Sequence, residues 1–163
     1  MCLTVKRTEI TPINDFISKL TGKLTVFKIL KKKNGKLCAP FFEAFKYKVG
    51  VNKSSRKCKD ITTSEFDYGI EKGIHVSLTE AEANRVLNAM RARHSCRAQL
   101  VIVRMTADLS HLIKVGKFMW PYWSDTIGIE GAVFMQLNLS KTEYDRVCGK
   151  AKHKVNGKLK AKR

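Results

Sequence analysis

Apolar residues along this chain recur with two different periods, and the change between them is sharpest from Gly73 to Arg93. Ile74-His75-Val76-Ser77-Leu78 reads as a buried strand. Thr79-Glu80-Ala81-Glu82 follows at once as a capping box, in which the Thr79 hydroxyl can accept the amide of Glu82 while the Glu82 carboxylate reaches back to the amide of Thr79. Ala83, Val86, Leu87 and Met90 then recur at helical spacing and give a helix from Glu80 to about Arg91 one apolar face. Strand and helix meet with almost no loop, so the helix is expected to pack on the sheet its own strand joins.

The same patterning predicts the other elements. Thr11-Pro12 opens a short helix with Ile13, Phe16, Ile17 and Leu20 on one stripe, ended by Gly22. Leu24 to Leu30 is a strand, Lys31-Lys32-Lys33-Asn34-Gly35 a hairpin turn, and Lys36 to Phe42 the returning strand, with Pro40 placing its end at an edge. Phe45-Lys46-Tyr47-Lys48-Val49 alternates, its aromatic and valine side chains inward and its lysines outward. Gly50 to Asp60 is a basic polar loop. Ala98 to Thr106 is apolar on both faces through Leu100-Val101-Ile102-Val103, which predicts a central strand. Asp108 to Lys117 suggests a turn plus a short strand, and Phe118 to Trp123 an aromatic loop around Pro121. Ala132 to Leu139 is a last strand with Val133, Met135, Leu137 and Leu139 on one face. Ser140-Lys141-Thr142-Glu143 is a second capping box, launching a short helix through Tyr144 and Val147 to Gly149.

The fold class expected is α+β: one domain over residues 1–149, with a mixed or mainly antiparallel sheet of about five to six strands, a usual size. One main helix packs on the sheet, with short terminal helices and a basic C-terminal tail over residues 150–163.

Composition narrows the setting. A chain of 163 residues, 44% of them apolar, is long enough for one ordinary core. No run approaches the ~18 apolar residues of a spanning helix, and the first residues lack an apolar signal core. Five scattered cysteines without a Cys-x-x-Cys pair fit reduced thiols better than a disulfide framework. The expectation is an intracellular protein (host cytoplasm, nucleus or virion), neither secreted nor inserted in a membrane.

Charge changes the picture most. The net charge is +18, and residues 19–59 carry thirteen Lys/Arg against the lone Glu43. Residues 150–163 add seven basic side chains and no acid, while residues 60–148 are nearly balanced. Clustering of this kind is the footprint of a polyanion partner. The residues expected to grip phosphates are Lys31, Lys32 and Lys33 on the hairpin tip and Lys53, Ser54, Arg56, Lys57 and Lys59 in the polar loop. The tail adds Lys150, Lys152, Lys154, Lys158, Lys160, Lys162 and Arg163. Lysines at an edge strand also keep it from pairing with another chain. Trp120, Tyr122 and Trp123 could stack on unpaired bases, although aromatics beside a proline more often fold down as a lid.

Motifs of catalysis are missing. No Gly-rich phosphate loop, dinucleotide fingerprint or His-Glu-x-x-His pattern occurs. His94-Ser95-Cys96 is the only close pair of metal-ligand types, too few for a site, so neither metal nor cofactor is expected. His75-Val76-Ser77 is half of a paired-histidine phosphoesterase pattern, and a lone histidine on an apolar strand is more often part of the core.

Tyr47-Lys48-Val49-Gly50, Asn52-Lys53-Ser54, Gly73 to Thr79 and Glu130-Gly131-Ala132-Val133-Phe134 together resemble small uncharacterised proteins of bacteriophages and large DNA viruses. That resemblance implies a viral accessory role on host components or viral nucleic acid, and it assigns no residue a function. The leading expectation is a nonenzymatic binder of nucleic-acid backbone. A protein–protein module, either an inhibitor of an acidic host factor or a virion component, is the alternative. A small phosphate-handling enzyme using His75 is a third.

Overall fold

The computed structural model describes residues 2–6, 22–40, 45–54, 60–62, 67–70, 73–93, 99–119 and 129–149. Their strands are β1 (Cys2–Lys6), β2 (Lys23–Lys33), β3 (Lys36–Cys38), β4 (Lys46–Tyr47), β5 (Gly50–Lys53), β6 (Asp60–Thr62) and β7 (Asp67–Ile70). They continue with β8 (Ile74–Ser77), helix α1 (Glu80–Arg93), β9 (Gln99–Asp108), β10 (Leu112–Met119), β11 (Ile129–Phe134), β12 (Gln136–Leu139) and helix α2 (Lys141–Cys148). The class is α+β, with one sheet in the order β5-β12-β9-β2-β8-β11-β10-β1-β7-β6, and β3 and β4 added beside β2. Every pairing among the described residues is antiparallel.

The sheet curls until it meets itself. β2 pairs β9 along its whole length, from Lys23↔Asp108 to Lys32↔Gln99. β9 pairs β12 at Thr106↔Asn138, and β12 leads back through Met135 into β11. β11 pairs β8, and β8 returns to β2 at Phe27↔Ser77. Alternate side chains of these strands point into the ring and fill it: Val26 and Leu30, Ile74 and Val76, Val103 and Met105, Ala132 and Phe134, Leu137 and Leu139. Complete burial of each Val, Leu or Phe contributes roughly 1.5–3 kcal/mol.

Helix α1 covers the outside of that ring. Ala83, Val86, Leu87 and Met90 are all buried, and the helix touches β2, β8, β9 and β11. Its start forms the first half of the expected capping box, the Glu82 amide donating to the Thr79 hydroxyl oxygen at 3.2 Å, while the Glu82 carboxylate accepts that hydroxyl at 3.1 Å. Because α1 closes one face and the ring interior the other, all of Ile74 to Ser77 is buried.

Two predicted alternations break. The strand expected over 132–139 is interrupted at Met135, where the amide donates to the carbonyl of His111. Met135 is half-buried, Ala132 and Phe134 face the inner core with Leu137 and Leu139, and Val133 pairs with His75 on the other face. One extra residue lets β11 turn the corner that the Leu109–His111 turn makes between β9 and β10. The alternation of residues 45–49 also stops early: Phe45 and Tyr47 pack inward, but Val49 is 44% exposed. There the chain turns about Asn52, which accepts the Lys48 amide and donates to the carbonyls of Lys48 and Gly50. The polar loop expected from Gly50 onward is therefore strand β5 as far as Lys53, paired with β12. The helix expected at Thr11-Pro12 lies outside the described residues.

Helix α2 sits at an edge instead of on a face. Ser140 caps it by accepting the Glu143 amide, and Gly149 ends it at φ 78°. Beyond Thr106 toward its start, β9 has no strand on its outer side among the described residues, and side chains take that place. The Arg104 amide donates to Glu143 at 2.8 Å, while Arg146 and Arg91 donate to the carbonyls of Ile102 and Leu100, each at 3.3 Å.

Candidate nucleic-acid interface

The β2–β3 hairpin turns on Asn34 (φ 51°) and Gly35 (φ 70°), the left-handed pair that a tight primed turn requires. The lysines before it are not on the tip, as the sequence suggests, but inside β2, because the ladder runs on through Lys31↔Cys38, Lys32↔Leu37 and Lys33↔Lys36. Strand alternation then divides them. Lys31 and Lys33 share a face with Lys36 and Cys38, and β4 brings Lys46 beside Cys38 on that same face.

Lys33, Lys36 and Lys46 are exposed there, and Lys31 is half-buried. Cys38 is buried among them and its thiol donates to the Lys31 carbonyl at 3.4 Å. Long aliphatic stems can cover such a small apolar group while their ammonium groups stay in water.

Lys32 is on the opposite face with Leu37 and Tyr47. Its ammonium donates to the carbonyl of Val147 at 2.9 Å, satisfying an orphan acceptor in the last turn of α2. Tyr144 of the same helix donates its hydroxyl to the Gly35 carbonyl at 3.4 Å. Lys32 therefore joins the hairpin to α2 and adds nothing to the exposed lysine row.

Lys28 is a cation that patterning passed over. It stands between Val26 and Leu30 on the inward face of β2, and its ammonium donates to the His75 carbonyl at 2.7 Å. The residue keeps some solvent contact, but its charged end is withdrawn, and this burial pushes its pKa down to about 8. A lysine within a run of strand lysines carries no sequence signal beyond its parity, and parity alone would have placed it inside.

Of the remaining predicted contacts, Lys53 is exposed on β5 and Ser54 is half-buried, its amide donating to the Met135 carbonyl at 2.8 Å. Asn52, at the start of the predicted polar loop, spends both amide donors on the carbonyls of its own turn. Arg56, Lys57, Lys59, Trp120, Tyr122, Trp123, and Lys150, Lys152, Lys154, Lys158, Lys160, Lys162 and Arg163 lie outside the described residues.

His75 is 7% exposed on β8, opposite Val133, on the side that α1 covers. Among the described residues no three His, Cys, Asp or Glu side chains gather as a metal site. No described helix is long and apolar enough to cross a membrane. The chain matches no family model, no curated protein and no solved structure.

Proposed function

We propose that this chain is a nonenzymatic accessory protein that grips nucleic-acid backbone without reading sequence. The observation that carries the reading is the register that sets Lys31, Lys33, Lys36 and Lys46 on one face across three adjacent strands. The segment concerned, residues 19–59, contains one acid among thirteen Lys/Arg, so its field has one sign. Lysine is a point charge on a flexible stem, suited to phosphate oxygens and poorly suited to base edges. The basic tail from Lys150 to Arg163 extends the same chemistry.

The test is a gel shift against random duplex, single-stranded DNA and RNA over a range of salt. Replacing Lys33, Lys36 and Lys46 together with Gln should flatten the slope of log affinity against log salt on duplex by about 2–3 units, since each lost phosphate contact contributes about 0.9. The loss should be similar for all duplex sequences. Deleting residues 150–163 should act in the same sense. Unchanged binding by both variants would assign the charge to solvation and move the partner to an acidic protein surface.

A further inference from the structure

We infer that the groove between α1 and α2 receives one unpaired base of the nucleic-acid strand whose phosphates lie on the lysine row. This inference rests on the nucleic-acid reading above and adds a preference for unpaired nucleotides to it. The groove has a volume of about 470 Å³, within the range of small-ligand sites. Its floor is the outer face of β2 and β9, where Phe27 stands opposite Arg104, with Ile102 and Leu100 following along β9. Leu87 of α1 and Val147 of α2 are its apolar walls.

Charge inside the groove is nearly balanced, which argues against a charged occupant there. Glu80 faces Arg104 at 3.8 Å, and Glu143 holds Arg146 at 2.6 Å. Arg91 has no carboxylate partner among the described residues; its guanidinium donates to the Leu100 carbonyl. What remains for a ligand is an aromatic ring, an apolar floor and a rim of donors and acceptors. A nucleobase matches that lining, being planar, neutral and polar only along its edge. The Arg104 guanidinium lies 5.9 Å from the centre of the Phe27 ring, on a side chain that is 62% exposed. It can lift to admit a base between ring and cation, so that both faces of the base are stacked.

Register joins this groove to the lysine row. On the outer face of the β2–β9 ladder, Phe27↔Arg104 is followed by Ile29↔Ile102 and then by Lys31↔Leu100. Lys33↔Lys36 comes next along β2. Arg91, bonded at Leu100, therefore stands beside Lys31. Both acids lie at the Phe27 end, against Arg104, and the cations in excess lie at the other. That polarity directs a phosphate to Arg91 and Lys31 and its base toward Phe27. The run from Phe27 to Lys31 is roughly 13 Å, which one nucleotide and a lysine side chain bridge together. Paired arginines and glutamates over an apolar strip also serve simply to hold the helices to the sheet, and that role predicts no preference.

Competition gel shifts with three duplexes of one sequence separate these roles: fully paired, with one bulged adenine, and with an abasic bulge at the same place. The adenine bulge should bind about tenfold tighter than the abasic one, which deforms similarly and lacks only the base. The ratio should persist across salt, because stacking releases no counterions. Phe27→Leu keeps the floor apolar and should bring the ratio to about one, since the stacking ring is gone; thermal melting verifies its fold. If that variant does not fold, a 5-iodouracil bulge bound to the parent protein should cross-link to Phe27 under ultraviolet light. Equal affinity for the adenine and abasic bulges, an unchanged ratio in folded Phe27→Leu, or cross-links only outside the groove would each overturn the pocket and leave the backbone grip standing. Failure of all three duplexes to bind would overturn the nucleic-acid reading and the pocket with it.

Discussion

Helices α1 and α2 begin alike and end up doing different work. Each follows directly on a strand, and each starts with a hydroxyl cap three residues before a glutamate. In α1 the glutamate stays at home, its carboxylate accepting the Thr79 hydroxyl. Glu143 of α2 instead reaches across to the Arg104 amide at 2.8 Å and pairs with Arg146 of its own helix at 2.6 Å and 2.7 Å, and the Arg146 hydrogen bond holds its carboxyl below the usual carboxylate range. Helix α1 buries Ala83, Val86, Leu87 and Met90, whereas α2 has no buried residue. The cap therefore determines where a helix begins, while the apolar stripe determines whether it lies on a face or along an edge.

The comparison breaks most readily at the face. Met90→Ala should cost about 2–5 kcal/mol in denaturant unfolding, because a cavity opens under α1. A loss below about 1 kcal/mol would mean that α1 is no better anchored than α2.

The second lever is pH: the lowered pKa values of Lys28 and Glu143 both make stability rise with pH, but in separate ranges. Lys28 releases its proton at about 8 in the folded protein and at 10.5 when unfolded. The unfolded chain binds more protons between those values, so the Lys28 contribution makes stability rise with pH from about 8 to 10.5, by at most about 3 kcal/mol. Lys28→Met should stabilise the protein at pH 7 and remove that rise. For Glu143 the folded pKa is depressed, so its stabilising contribution is present at neutral pH and is lost as pH falls through the carboxylate range. Circular dichroism melts over pH would show whether the two limbs separate; a flat alkaline limb in the parent protein would place the Lys28 ammonium in water.

The finest test compares the caps. Thr79→Ala should lower global stability by about 1 kcal/mol. Ser140→Ala removes a contact of the same kind but should mainly speed hydrogen exchange within α2 and at the Arg104 amide, because the helix can open locally. Equal global losses would make the two helices parts of one cooperative unit.

Local devices were legible in the sequence because their residues lie close together. Thr79-Glu80-Ala81-Glu82, Ser140-Lys141-Thr142-Glu143 and Asn34-Gly35 each encode a boundary within a few positions, and the structure forms all three. Parity over a longer run was not legible, since one residue reverses it: Met135 shifts the strand by one position, and nothing in Val133 to Leu139 announces the bulge. The lysine triplet misled for a related reason. Consecutive charges suggest solvent, yet a strand through them sends Lys32 and Lys28 to the inner side and Lys31 and Lys33 to the outer. Which backbone edge a helix side chain would satisfy is a tertiary outcome, invisible in Glu143 or Arg146 alone.

Ring closure also has a consequence for the order of events in synthesis. Partners for β2 are β9 and β8, far downstream, while only β3 is near in sequence. Pairing between distant segments is slow because loop entropy must be overcome first. As the chain emerges from its N-terminal end, β2 waits for β9 with both edges open, save where β3 covers its last residues. Lysines at positions 23, 28, 31, 32 and 33 repel the same strand of a neighbouring chain during that interval. The charge suited to phosphates in the finished protein thus also acts as a gatekeeper while the ring is still incomplete.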